Sequence, residues 1–371
     1  MSEGGPFVDP AGITAFWHEQ YLDSYVAQGG SAVKWLRGRE GSGKTALLTE
    51  LRRSARADGY FVAAVSARAV QIGRFDELYR AILGQLPIEE LGGRFAAEAA
   101  RRAGAGSFRP GVDGDLDSYL RAQGRPDEAV QAELASAFDF LYTDRNIAPP
   151  VATALRHIAA GLLRPSLETD VRRETASTWI SGGKVSASER RRVGIGLALD
   201  RYGAREILRS LLYANRMVRG KGLVVTIDDL DGLLGGEGPV RYTRLRRDDA
   251  YEAIRELIDE GASMPGLFVA FAGRREAFTD EKAGLRSYAA LAMRVEPEVE
   301  ADRWNPFDDL QDLDALWRED WPRWRKRLEQ AYGVESPEAV DAQLLVSMGP
   351  VSPVKLLVDA IHRQGGSAHG Q

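Results

Sequence analysis

Short apolar runs recur along this chain at Ala32 to Leu36 (AVKWL), Tyr60 to Ser66 (YFVAAVS), Leu223 to Ile227 (LVVTI) and Gly266 to Ala272 (GLFVAFA). Each is too short for a buried helix and carries β-branched or aromatic residues. Each therefore predicts a strand covered on both faces, as in a parallel sheet. Between the runs the apolar positions switch to helical spacing, over residues 11–28, Thr45 to Arg56, residues 203–219 and Asp248 to Glu260. Strands alternating with helices predict an α/β fold built on a parallel sheet.

The alternation is interrupted after the second strand. Residues 87–202 far exceed the roughly 30 residues of a simple strand-helix-strand unit. Their Ala- and Arg-rich segments, with a softer stretch from Gly104 to Gly114, predict a mainly helical insertion without an internal repeat. Past residue 300 the pattern is helical: Asp309 to Tyr332, Ser336 to Ser347 and Ser352 to Arg363, with Pro322 in the first turn of a new helix. Trp317, Trp321 and Trp324 recur at helical spacing, either as a stripe packed in the core of this region or as a base-stacking or partner surface. The tail from Gly365 to Gln371 reads as disordered.

Composition narrows the function classes. A chain of 371 residues with net charge −5 is long enough to bury a full core and is not a wholly basic nucleic-acid binder. Its basic charge is mostly arginine, with seven lysines. It has no cysteine, which excludes disulfides and thiolate metal sites, and its histidines (His18, His157, His362, His369) are scattered in sequence. No apolar run reaches the roughly 18 residues of a membrane span, and the N-terminus lacks a basic segment followed by an apolar one. A cytoplasmic protein without a membrane partner is expected.

Candidate chemistry enters at the end of the first strand. Gly38 to Thr45 reads GREGSGKT, the phosphate-loop pattern of a glycine, four residues and Gly-Lys-Thr. Placed between a strand and a helix, Gly38, Arg39, Glu40, Gly41, Ser42, Gly43, Lys44 and Thr45 would turn backbone N–H groups toward a phosphate at the helix N-terminus. Lys44 would reach the β- and γ-phosphates of a nucleotide, and the Thr45 hydroxyl would hold Mg²⁺. A second acidic site ends the third strand, in GLVVTIDDLDGLL (Gly222 to Leu234). Asp228 would orient Mg²⁺ there, at the edge where ligands of open α/β sheets bind. Asp229 is expected to polarise the attacking water, with Asp231 sharing or taking that role. The alternative is that Asp229 and Asp231 only cap the following turn.

Two sets of arginines are candidate contacts for DNA. Arg101, Arg102, Arg172, Arg173 and Arg190 to Arg192 lie in the insertion, where a solvated helix face is the favoured alternative. Arg241, Arg244, Arg246 and Arg247 follow the acidic strand and would lie at the functional rim of the sheet.

Several segments together resemble one family: GGSAVKWLRGREGSGKT (Gly29 to Thr45), WISGGKVSASERRRVGI (Trp179 to Ile195), REILRSLLYANRMVRGKGLVVTIDDLD (Arg205 to Asp231) and SPVKLLVDAI (Ser352 to Ile361). They look like the P-loop ATP-binding proteins of BREX-type phage-defence loci, the BrxC/BrxD class, which is similar in turn to AAA+ initiator ATPases. The resemblance implies an ATPase core in residues 1–86 and 203–300, the insertion at 87–202, and a helical lid with its tail at 301–371. It also implies ATP and Mg²⁺ as cofactors, a homo-oligomer, and a defence effector such as a helicase or nuclease as partner, with ATP coupled to assembly or remodelling on DNA. The rival reading is a nucleotide-controlled scaffold or signalling switch, like KAP or STAND proteins, with slow hydrolysis.

The chain departs from the family pattern at three places. Asp229 stands where a Glu is usual, Arg274 follows Gly273 where a Thr-type sensor is usual, and Lys355 stands at the lid position that often carries a sensor arginine. By the same resemblance an arginine acts in trans on a neighbouring subunit's nucleotide, Arg294 foremost, with Arg286 and Arg274 in reserve. The alternative for Arg294 is a surface pair with Glu296 or Glu298.

Overall fold

The computed structural model describes residues 8–9, 12–235, 238–295, 305–319, 321–332, 351–352 and 354–359. Five parallel strands form one sheet: β1 (Ala32–Arg37), β2 (Phe61–Ser66), β3 (Leu223–Asp228), β4 (Leu267–Gly273) and β5 (Leu310–Asp312). Their order across the sheet is β2-β3-β4-β1-β5. The register sets Ser66 beside Asp228, and Arg37 beside both Gly273 and Asp312. One edge of the sheet therefore carries the C-terminal ends of all five strands, and the phosphate-loop strand is separated from the acidic strand by β4.

The apolar runs divide by parity between two cores. Trp35, Phe61, Ala63, Val65, Val225, Ile227, Val269 and Phe271 face one side. Leu36, Val62, Val224, Phe268, Ala270 and Ala272 face the other. That is the two-residue period of a strand buried on both faces. β4 is buried at every position, and its Phe271 stacks on Trp35 of β1 at 4.2 Å. Lys34 is also buried in β1, where its Nζ donates to the Phe307 carbonyl and to Asp309, both at 2.8 Å.

Helices Ile13–Trp17 and Lys44–Ala57 cover one face of the sheet. The first continues as a π-helix, His18–Val26, whose His18 ring sits between Asp23 and Asp58 and ties it to the end of the Lys44–Ala57 helix. On the other face, helices Phe75–Leu83, Arg201–Met217 and Arg244–Glu260 pack together with the insertion. The insertion's helices Ile88–Arg102, Pro149–Leu163 and Leu167–Ile180 share that apolar cluster with the sheet. Gly92 lies so near Ile158 that a Cβ there would approach it to 2.3 Å.

The expected helix from Asp309 to Tyr332 is corrected by the structure. Its first residues form β5, bound to β1 through Trp35 N and the Asp309 carbonyl at 2.7 Å, and the rest divides into helices Leu313–Glu319 and Trp321–Tyr332. A three-residue strand is too short to display a period, so only its pairing partner reveals it. Pro322 falls in the first turn of the second helix. The helix expected from Asp248 begins earlier, at Arg244, where the Thr243 hydroxyl caps Arg246 N. Ser336 to Ser347 and Gly365 to Gln371 lie outside the described residues, and of the expected helix Ser352 to Arg363 residues 354–359 are described as helical. Among the described residues no helix is long and apolar enough to cross a membrane.

Candidate nucleotide site

The β1 strand delivers Arg37 to the sheet edge, and the chain then turns through Gly38 to Gly43 into the Lys44–Ala57 helix. Gly41 and Gly43 have φ of +75° and +96°, a region costly to any residue with a Cβ. A Cβ on Gly38 would lie 2.5 Å from the Ser42 hydroxyl. Lys44 folds its Nζ back onto the loop, donating to the Gly38 carbonyl at 2.9 Å, the Arg39 carbonyl at 2.8 Å and Ser42 Oγ at 3.3 Å. Burial pushes its pKa below the ordinary lysine value, against the opposing pull of Asp228, Asp231 and Asp314.

Thr45 Oγ1 donates to Asp228 Oδ2 at 2.7 Å, so the helix after the loop and the end of β3 meet at one point. Burial raises the pKa of Asp228, while the Thr45 hydroxyl and the Asp229 N–H hold it down. Asp229 takes a left-handed backbone, φ +61° and ψ +36°, which Asp tolerates better than most residues. Its carboxylate accepts from Ser66 Oγ of β2 at 2.6 Å.

Asp231 is differently placed. The Arg68 guanidinium donates to it, Arg274 Nε lies 3.4 Å away, and Arg274 N donates at 3.3 Å. Its side chain is 12% exposed, against 36% for Asp229. Two cations therefore hold Asp231, while Asp229, with Arg68 Nε 3.9 Å away, keeps an open side.

The C-terminal segment grips the outer side of the loop. Asp314 accepts from Arg39 N at 2.8 Å, and Trp317 Nε1 donates to the Ser42 carbonyl at 2.8 Å. Ser352 N donates to the Glu40 carbonyl and Lys355 Nζ to Glu40 Oε1, each at 2.8 Å. Lys355 crosses Gly41 so closely that a Cβ there would meet its own at 2.3 Å. Trp317, Trp321 and Trp324 are buried in the core between this segment and the sheet, which is the packing alternative for the tryptophan stripe.

The structure thus gathers Gly38 to Thr45, Asp228, Asp229, Asp231, Arg274 and Lys355 around one sheet edge. Arg294 stands apart on the Ala289–Val295 helix, where Nε and Nη2 bind Asp259 of the Arg244–Glu260 helix at 2.6 and 3.0 Å. Arg286 lies in the turn Leu285–Ser287. Arg68, Ser66 and Asp314 were not singled out from the sequence, and Trp317 was singled out only as part of the tryptophan stripe, not as a contact to the phosphate loop. Ser66 and Arg68 carried one available signal, as polar residues at the C-terminal end of a buried strand.

The donor set fits a magnesium nucleotide. Thr45 and Asp228 present touching hydroxyl and carboxylate oxygens, the hard ligands Mg²⁺ takes, beside a helix N-terminus suited to phosphate. A family model described as BREX system ATP-binding protein BrxC/D matches residues 18–347. The chain belongs to that family. The match takes in all five strands, both motifs and the insertion, and of the gathered residues only Lys355 lies beyond it. A comparison with curated proteins returns no match. Membership in the BrxC/D family implies ATP binding and a place in a BREX phage-defence system.

Proposed function

We propose that this BrxC/D family protein hydrolyses ATP with Mg²⁺ and couples turnover to assembly or remodelling on DNA, as a cytoplasmic homo-oligomer working with a defence effector such as a helicase or nuclease. The observation that carries the reading is the Thr45–Asp228 contact beside an open Asp229. Mg²⁺ bound there would neutralise phosphate charge. Lys44 would leave the Gly38 and Arg39 carbonyls for the phosphates, and Asp229 would orient and polarise water. Asp231, occupied by Arg68 and Arg274, is better suited to position Arg274 than to act as the base. The strand between the two motif strands and the C-terminal segment lying on the phosphate loop support an AAA+-like core with a lid. Lys355 would then sense nucleotide from that lid, and Arg294 would serve a neighbouring subunit.

A second reading, a nucleotide-controlled switch with slow turnover, is favoured by one feature. Asp229 is one methylene shorter than Glu and is held by Ser66. Phosphate release measured with and without DNA decides between them: DNA-stimulated turnover supports the first, whereas stoichiometric ATP-dependent partner binding indifferent to DNA supports the second. No ATP binding in either assay would overturn both.

A further inference from the structure

We infer that the exposed arginines at the start of the Arg244–Glu260 helix form the surface that contacts the phosphate backbone of DNA; this rests on the DNA-directed reading above. Arg241, Arg244 and Arg246 are exposed, and Arg247 is half-buried with a buried Nε. Among the described residues none of the four pairs with a carboxylate; the one hydrogen bond their side chains make is from Arg246 to the Arg241 carbonyl at 3.2 Å. Four arginines of the insertion helices differ, whereas Arg190 to Arg192, in the last turn of their short helix, also lack a carboxylate pair among the described residues. Arg101 and Arg102 are bound by Glu98, Arg172 by Glu168, and Arg173 lies near Glu89 and Asp170.

The position makes the contrast sharper. A helix N-terminus carries partial positive charge, so cations in its first turn are repelled by the helix as well as by one another. Asp248 and the exposed Asp249 follow on the same helix and offset part of this charge, though among the described residues neither pairs with any of the four. A cluster kept unpaired where the helix opposes it is matched by a polyanion outside the chain. Leu245, 72% exposed among these arginines, adds apolar contact for a sugar or base face.

The surface is also joined to the catalytic edge. The Tyr242 hydroxyl meets the Ala67 and Val70 carbonyls and Ile72 N, and Val240 N donates to the Arg68 carbonyl. The Arg68 side chain in turn holds Asp231. Phosphates seated on the arginines would therefore press on the loop that positions the acidic turn.

The test uses the full chain, a labelled DNA duplex and fluorescence anisotropy over a salt series, with ATP affinity measured on the same preparations. R241Q/R244Q/R246Q is expected to weaken DNA binding at least about tenfold and to flatten the dependence of log affinity on log salt by roughly 0.9 for each phosphate it no longer neutralises. Its ATP affinity should be unchanged, and its DNA-stimulated turnover abolished. R101Q/R102Q/R172Q, altering paired arginines, should bind DNA like the wild type. Wild-type protein that hydrolyses ATP without binding DNA overturns this surface and leaves the ATPase reading standing. So does equal weakening in both variants. Unchanged DNA binding by the rim variant, with loss of self-association in sedimentation, would make the patch a subunit contact and overturn the inference.

Discussion

The Thr45 hydroxyl donates to the Asp228 carboxylate at 2.7 Å, joining residues 183 positions apart. The contact exists because β1 and β3 end on the same edge of a parallel sheet, one strand apart. It brings a hydroxyl and a carboxylate to the place where a cation beside bound phosphate would need them.

Lys44→Ala should lower ATP affinity or turnover at least about tenfold with little change in thermal stability, because the charge that meets the phosphates is removed without touching the sheet. Isothermal titration and a melting curve check this. Wild-type ATP binding and hydrolysis in the variant would defeat the nucleotide-site assignment.

Asp229→Asn and Asp231→Asn should separate chemistry from positioning. The first should bind ATP nearly normally and turn it over at least about tenfold more slowly, since a water-polarising carboxylate acts mainly in the transition state. The second leaves Arg68 and Arg274 without their shared carboxylate and should lower stability by about 1–3 kcal/mol in urea unfolding. Full turnover in Asp229→Asn with none in a folded Asp231→Asn would reverse the roles.

Arg294→Ala, mixed with Lys44→Ala, tests catalysis across subunits. Each is expected to be inactive alone and the mixture partly active, because a supplied arginine is worth about 10³-fold or more in rate. The bond to Asp259 offers the competing account, in which Arg294 only fastens two helices together. Full activity of Arg294→Ala alone, or a monomer at every concentration with ATP, would favour that account.

Trp317→Phe removes the indole donor to the Ser42 carbonyl and keeps an aromatic ring in the core. A loss of about 0.5–1.5 kcal/mol in unfolding free energy is expected, with weaker ATP binding because the phosphate loop loses a brace. Unaltered ATP affinity in this variant would show that the loop holds its shape without the C-terminal segment.

Acid stability should depend on Glu252. The Arg255 hydrogen bond, followed by the Tyr288 hydroxyl, lowers its pKa from 4.5 to about 2. A depressed carboxylate contributes stability above its unfolded value and loses it as pH falls from about 4.5 toward about 2. Urea midpoints of Glu252→Gln and wild type should differ near neutrality and converge in acid. A constant difference across that range would show that Glu252 acts through packing rather than charge.

The sequence by itself determined what contiguous residues can encode. Gly38 to Thr45 carries its loop geometry locally, through glycines and the helix that follows, and the four longer strands carry their burial in consecutive apolar residues. The pairs in the insertion were equally local, since Glu98 and Glu168 stand three or four positions from the arginines they bind. Tertiary structure decided what depends on distant partners. β5 exists through its pairing with β1, and Asp231 is distinguished from Asp229 by Arg274 and by the direct hydrogen bond from Arg68, which reach it from the ends of two other strands. The grip of Asp314, Trp317, Ser352 and Lys355 on the phosphate loop joins residues some 275 to 315 positions apart. Spacing along a chain reports which face a residue shares, whereas charge pairing and hydrogen bonding depend on which surfaces the fold finally presses together.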